Sequence, residues 1–156
     1  MNAQKMLRIG ACLLIGSSSL AHAASWVAVV KSSDETASIY VDTASIRFSG
    51  ARAKAWFLED NMYALDVPAA FPATRYVSSK KLLVFDCDQR MWATTQAVFY
   101  DDHAGSGKVV WSWSAGPARL QYVEVVPDTM GEAMLNGACL QRRRGKSPRS
   151  APSPSM

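Results

Sequence analysis

Cys87 and Cys139, His103 with its neighbours Asp101 and Asp102, and the tryptophans Trp26, Trp56, Trp92, Trp111 and Trp113 are the side chains of this chain best equipped for chemistry or recognition. Two thiols can close a disulfide or bind a metal. For zinc the set is poor, because neither cysteine belongs to a CxxC pair and His103 is the one histidine outside the N-terminal leader described below. An imidazole beside carboxylates can act as a base or a metal ligand. Yet Asp101-Asp102-His103-Ala104-Gly105-Ser106-Gly107 is also the composition of a turn, in which Asp and Gly serve the backbone. A turn is the reading adopted here. No Gly-x-Ser-x-Gly elbow offers a serine nucleophile to pair with His103. Lys108 after Gly105-Ser106-Gly107 lacks the spacing of a phosphate loop. Asp86 and Asp88 flank Cys87 and are expected to be structural, pairing with Arg90 or Lys80. No catalytic, cofactor-binding or metal residue is assigned, and the expectation is a protein that is not an enzyme.

The tryptophans divide by position. Trp111 and Trp113 lie two apart, so on a strand they share one face and form the candidate partner-binding pair. Trp26 and Trp56 are expected in the core.

The fate of the cysteines depends on compartment. Lys5 and Arg8 give a basic start, Ile9 to Gly16 is apolar, and Ala21-His22-Ala23 supplies small residues at a cleavage site. This is the pattern of a signal peptide over residues 1–23, cut before Ala24. The apolar stretch is about half the length needed to span a bilayer. Cleavage would remove Cys12 and leave Cys87 and Cys139 as an even pair in an oxidising space, where a disulfide is the default. Its loop of about 50 residues would be worth roughly 4 kcal/mol by chain entropy. In the alternative, Ile9-Gly10-Ala11-Cys12 is a lipoprotein site and Cys12 is acylated. Only a few residues separate Arg8 from Cys12, too few for an apolar core, and the apolar run continues past it. The expected location is therefore periplasmic or secreted, ahead of lipid-anchored at the outer membrane surface.

The elements that must position these residues are mostly strands. Residues 25–31, 37–42, 52–58, 76–85, 91–100 and 108–113 are rich in β-branched and aromatic side chains and are bounded by turn residues. Arg47 to Phe48 and Leu120 to Val126 add short edge pieces, and Asp42 is placed to cap a single turn before Ile46. Residues 59–74, with Glu59-Asp60-Asn61, Pro68 and Pro72, read as a loop. The last element changes period. Thr129 and Glu132 fit a capping box, and Met130, Ala133, Met134 and Ala138 recur at helical steps, which predicts a helix over 130–139. The expected class is α+β with β dominant: an antiparallel sheet of about six strands with one C-terminal helix packed on it and tethered by a disulfide.

Charge separates the domain from its end. Residues 24–141 hold ten Lys/Arg against thirteen Asp/Glu, whereas 142–156 carry five basic residues and no acidic one, with three prolines and four serines. Such a tail buries too little apolar surface to offset its ordering entropy, so 142–156 is expected to be disordered. Its charge suits anionic lipid or polysaccharide, and equally a solvated end. An acidic domain with a basic tail does not present the basic, aromatic face that nucleic acid requires.

Several pieces in order resemble the surface-adhesin protein E family of Gram-negative bacteria. They are Trp26, Tyr40-Val41-Asp42 followed by Ser45-Ile46, Ala55-Trp56, Tyr76-Val77-Ser78-Ser79-Lys80, Asp86-Cys87 with Arg90, and Cys139 after a helix-like segment. The resemblance covers about 26–139. It implies an antiparallel sheet with a helix tethered by a disulfide, and it admits a homodimer. The family's namesake is a surface lipoprotein that adheres to host matrix and serum proteins. The resemblance therefore implies a non-enzymatic exported binding module whose partner is a host matrix or serum protein or an envelope protein. The placement of Cys12 departs from that family, which leaves a periplasmic, envelope-associated domain without a host ligand as the alternative.

Overall fold

The computed structural model describes residues 24–68 and 70–144. The expected leader, 1–23, and the tail beyond 144 lie outside the described residues. Eight strands form one sheet: β1 (Trp26–Lys31), β2 (Ala37–Asp42), β3 (Arg47–Ser49), β4 (Arg52–Asp66), β5 (Arg75–Asp86), β6 (Met91–Tyr100), β7 (Val109–Ser114) and β8 (Val123–Glu124). One helix, α1 (Met130–Arg144), follows. The main path runs β1-β2-β4-β5-β6-β7, with β3 added on β4 and β8 on β6. Every pairing is antiparallel.

Alternation decides which face meets the helix. In β4, Ala53, Ala55 and Phe57 are buried, while the alternating Arg52 and Lys54 are exposed. The partners of Ala53 and Ala55 across the ladder, Phe85 and Leu83, are buried too. With Ile39 and Val41 of β2, and Leu135 and Ala138 of α1, they form the main core. The rings of Phe57 and Phe85 meet edge-on at 5.6 Å, and Phe85 stacks on Trp92 at 6.4 Å. Burying a large apolar side chain contributes about 1.5–3 kcal/mol, so this cluster is what seats the helix. α1 lies close to β1 at Gly137, where an added methyl group would meet Val29 at 3.4 Å, an ordinary van der Waals contact. A second, smaller core of Val67, Tyr76, Ala97 and Phe99 closes the other end of the sheet. Trp56 is only half-buried, and it alternates with Ala55 and Phe57, so it lies on the sheet face away from the helix.

Cys87 and Cys139 are bonded, with Cα atoms 5.9 Å apart, inside the usual span for a disulfide. The bridge joins α1 to the end of β5, as the parity of the cysteines leads one to expect. Asp42 also behaves as expected, accepting from Ala44 N to cap a single 3₁₀ turn and from Ser25 N to hold the start of β1.

Three boundaries differ from the sequence reading. First, β4 continues to Asp66 through residues expected to form a loop. The polar run there is paired inside the sheet: Asn61 donates to Val77 O, and Glu59 meets Lys81. The actual connection is 67–74, with a cis bond at Phe71–Pro72. Second, α1 runs to Arg144, so the first three residues of the expected tail are helical. Cationic sequence is favoured in the last turn of a helix. Third, the capping box is shifted by one: Glu132 N reaches Thr129 Oγ1 at 3.4 Å, but the Glu132 carboxylate accepts from Asp128 N. That carboxylate also pairs with Arg90, which ties the helix start to the β5–β6 turn.

Candidate functional site

The candidate partner-binding pair sits on β7, opposite β6. Trp111 pairs with Phe99 and Trp113 with Ala97, so the two indoles share one face, the same face that carries α1 over the rest of the sheet. Their surroundings differ. Trp111 is half-buried against the second core, while Trp113 is 41% exposed. The difference comes from the 67–74 connection, which brings Val67 and Ala70 over the Trp111 end and stops short of Trp113.

Trp113 lines an open groove of about 440 Å³. Its floor is Trp92 and Thr94 of β6, and its far wall is Arg119, Gln121 and Val123. The strand edges explain why a groove opens here. β7 pairs with residues 96–100 of β6 and β8 with residues 91–92, which leaves 93–95 without a strand partner on this side; there Ala115 N donates to Thr95 O, and Arg119 and Gln121 of the connecting chain line the groove. Thr95 lies at a bulge where the β5–β6 register shifts, and its hydroxyl donates to Leu82 O. The groove thus offers two indoles, a guanidinium and an amide on one concave surface. Indoles and guanidinium groups dominate protein–protein hot spots. Other exposed apolar side chains are Met62, Tyr63 and Leu65 on the outer part of β4 and Phe71, 93% exposed, in the connection after it.

The His103 cluster is assembled differently from its sequence neighbours. The imidazole Nδ1 lies 2.8 Å from Asp60 Oδ1 on β4. Asp102 instead accepts from the His103 backbone N–H, and Asp101 accepts from Lys108 N. Ser78 donates to Asp102 O and accepts from Gly105 N, and Lys80 donates to Gly105 O. These bonds fasten the β6–β7 loop onto the sheet face opposite the helix. Gly107, at φ +75°, has no room for a Cβ, which would stand 2.3 Å from Asp101 Oδ1. The turn reading of 101–107 matches this arrangement. Asp86 caps the next turn through Asp88 N and Gln89 N and faces Arg52 at 3.9 Å, rather than Arg90 or Lys80. Among the described residues, no group of three or more His, Cys, Asp or Glu side chains is arranged to hold a metal ion.

Sequence reasoning missed one polar centre on the helix side. Glu59 pairs with Lys81 and accepts from the Tyr76 hydroxyl at 3.3 Å. Burial acts to raise the Glu59 pKa, but the Lys81 charge and hydrogen bonds from Lys81, Asn61 and Tyr76 hold it below the ordinary carboxylate value. Burial and the adjacent Glu59 charge push the Tyr76 phenol up. The signal in the sequence was the alternation of Glu59 with Phe57, which places it on the core face once β4 is known to continue.

A family model described as surface-adhesin protein E matches residues 26–140. The crystal structure of protein E from non-typeable Haemophilus influenzae is similar at a TM-score of 0.52 and 15% identity, over 91% of this chain and 88% of that one. Another structure of Haemophilus influenzae protein E is similar at 0.51 and 15% identity, over 77% of this chain and 89% of that one. At such identities the likeness speaks for the fold alone. No curated protein matches this chain. With the family match spanning the sheet, most of the helix and both bridged cysteines, the chain belongs to the surface-adhesin protein E family.

Proposed function

We propose that this chain is an exported, non-enzymatic binding module of the adhesin type that docks a protein partner in the Trp92–Trp113 groove. The observation that carries the reading is the exposure of Trp113 on a concave, uncovered part of the sheet, in a chain whose family is named for surface adhesion. A tryptophan held by a strand loses little freedom on binding and presents a large area with one polar N–H. The expected partner is a host matrix or serum protein or an envelope protein. Among the described residues no helix is long and apolar enough to cross a membrane.

Immobilised matrix and serum proteins, alongside envelope extract, test the proposal. Saturable binding at micromolar concentration is expected, and Trp113→Ala should weaken it about 30-fold, the effect of a hot-spot truncation near 2 kcal/mol. Unchanged binding by Trp113→Ala removes the groove from the account. A second reading, an envelope-associated periplasmic domain without a host ligand, is favoured by the position of Cys12, which leaves no apolar core ahead of a lipidation site. Cell fractionation with mapping of the mature N-terminus separates the two, because a soluble periplasmic protein beginning at Ala24 counts against surface adhesion.

A further inference from the structure

We propose that a second site, enclosed between α1 and the sheet, takes a small uncharged ring compound bearing one hydroxyl group, a phenol. The protein leaves a cavity of about 200 Å³ there, more enclosed than the groove and sharing only Trp92 with it. Phe57 and Leu83 form its floor, Trp92 one wall, and Met130 and Met134 of α1 its roof. The next helical residues toward the C-terminus pack tightly: Leu135 is 3% exposed and Ala138 0%. The opening is therefore local to the methionine-bearing turn and not a loose fit of the whole helix.

Size, lining and polarity agree on the class of ligand. A cavity near 150 Å³ lined by aliphatic and aromatic side chains accommodates benzene, so this one has room for a ring with a small substituent. Thioethers adapt their shape and make favourable contacts with ring edges, and Phe57 and Trp92 favour an aromatic guest over an alkyl one. The far end is polar, where Glu59 and Lys81 line the cavity as a pair. Lys81 donates one N–H to Glu59 and has two further N–H donors, while the carboxylate has about four lone-pair sites, more than Lys81, Tyr76 and Asn61 use. A hydroxyl can accept from the ammonium and donate to the carboxylate. A carboxylate ligand would face Glu59, and an ammonium ligand would face Lys81, each against a like charge. A neutral head group that both donates and accepts is what the pair can complete.

Ligand-observed NMR and calorimetry on the mature chain, with 4-methylphenol, toluene and 4-methylbenzoate as probes, test the proposal. The phenol is expected to half-saturate at roughly 0.1–1 mM, within reach of a ligand of this size, and to bind about tenfold more tightly than toluene, with benzoate weaker still. Met134→Phe and, separately, Met130→Phe fill the roof and should each weaken phenol binding about tenfold or more. Circular dichroism identifies which of the two variants keeps the fold. The inference is overturned if wild-type protein shows no saturable phenol binding, if the three probes bind alike, or if a folded filling variant binds as well as wild type. The titration uses no protein partner, so its failure leaves the groove reading untouched.

Discussion

Replacing Cys87 and Cys139 together by alanine removes the covalent link between α1 and the end of β5 while leaving the apolar contacts of the helix in place. The two residues are 52 apart in sequence, and the chain-entropy relation assigns closure of such a loop about 4 kcal/mol of stability, through restriction of the unfolded chain. A domain of this size has a total stability of about 5–15 kcal/mol, so the loss is between a quarter and most of the whole. In urea, with a dependence of about 2 kcal/mol per molar, the midpoint should fall by about 2 M. Unfolding followed by tryptophan fluorescence and by far-ultraviolet circular dichroism, for oxidised wild type and the double variant, measures the shift and tests whether helix and sheet unfold together. A loss below about 1 kcal/mol refutes the reasoning: packing of Leu135 and Ala138 would then hold α1 unaided, and the tether would add nothing to the fold.

The Glu59–Lys81 pair makes stability depend on acid. Because the Glu59 pKa is lowered in the folded state, its contribution is present above the unfolded value near 4.5 and is lost as the pH falls from there through the folded value. Glu59→Gln should therefore flatten the decline of stability below about pH 4.5, as read from urea midpoints over a pH series, and parallel curves for the two proteins would exclude the linkage. Gly107→Ala places a side chain in left-handed backbone and within 2.3 Å of Asp101 Oδ1, whereas Gly50→Ala, at φ +59°, meets nothing within 4 Å. The first should cost about 2 kcal/mol or more and the second about 1 kcal/mol, the strain of the backbone alone. Equal midpoints for the two variants would show that the Asp101 contact relaxes freely.

Local rules reached the parts of this molecule whose partners are close in sequence or are dictated by alternation. Ala53, Ala55 and Phe57 announce the buried face of β4, Asp42 announces the turn that it caps, and Cys87 and Cys139 announce their bond once export is inferred. The loop reading failed over 59–66 for a different reason. Glu59, Asp60 and Asn61 look like loop residues because their partners are distant: Lys81, His103 and Val77 O. A polar residue satisfied across a ladder is indistinguishable, by local pattern, from one satisfied by water. The same holds for the candidate partner-binding pair. Spacing correctly puts Trp111 and Trp113 on one face, but only the path of residues 67–74 leaves Trp113 as the more exposed of the two.

The position of the groove follows from a mismatch between helix and sheet. A helix of 15 residues is about 22 Å long and about 10 Å wide, whereas six strands side by side span about 24 Å and β5 alone extends about 40 Å. One helix cannot cover such a face. α1 is held over β1, β2, β4 and β5 by the Cys87–Cys139 bond and by the Arg90–Glu132 pair at its start. The β6–β7 part of the same face must then be closed by other means. The 67–70 segment closes one end, through Val67 and Ala70, and Val125 after β8 closes the other by entering the main core. Trp113 lies between these two closures, and the helix reaches only the Trp92 side of the groove, through Met130 and Met134. Lengthening α1 would not cover Trp113, because its axis is fixed by contacts on the other strands. In the proposed reading a partner buries that surface, so the exposed Trp113 in the groove, and not the helix, carries the recognition.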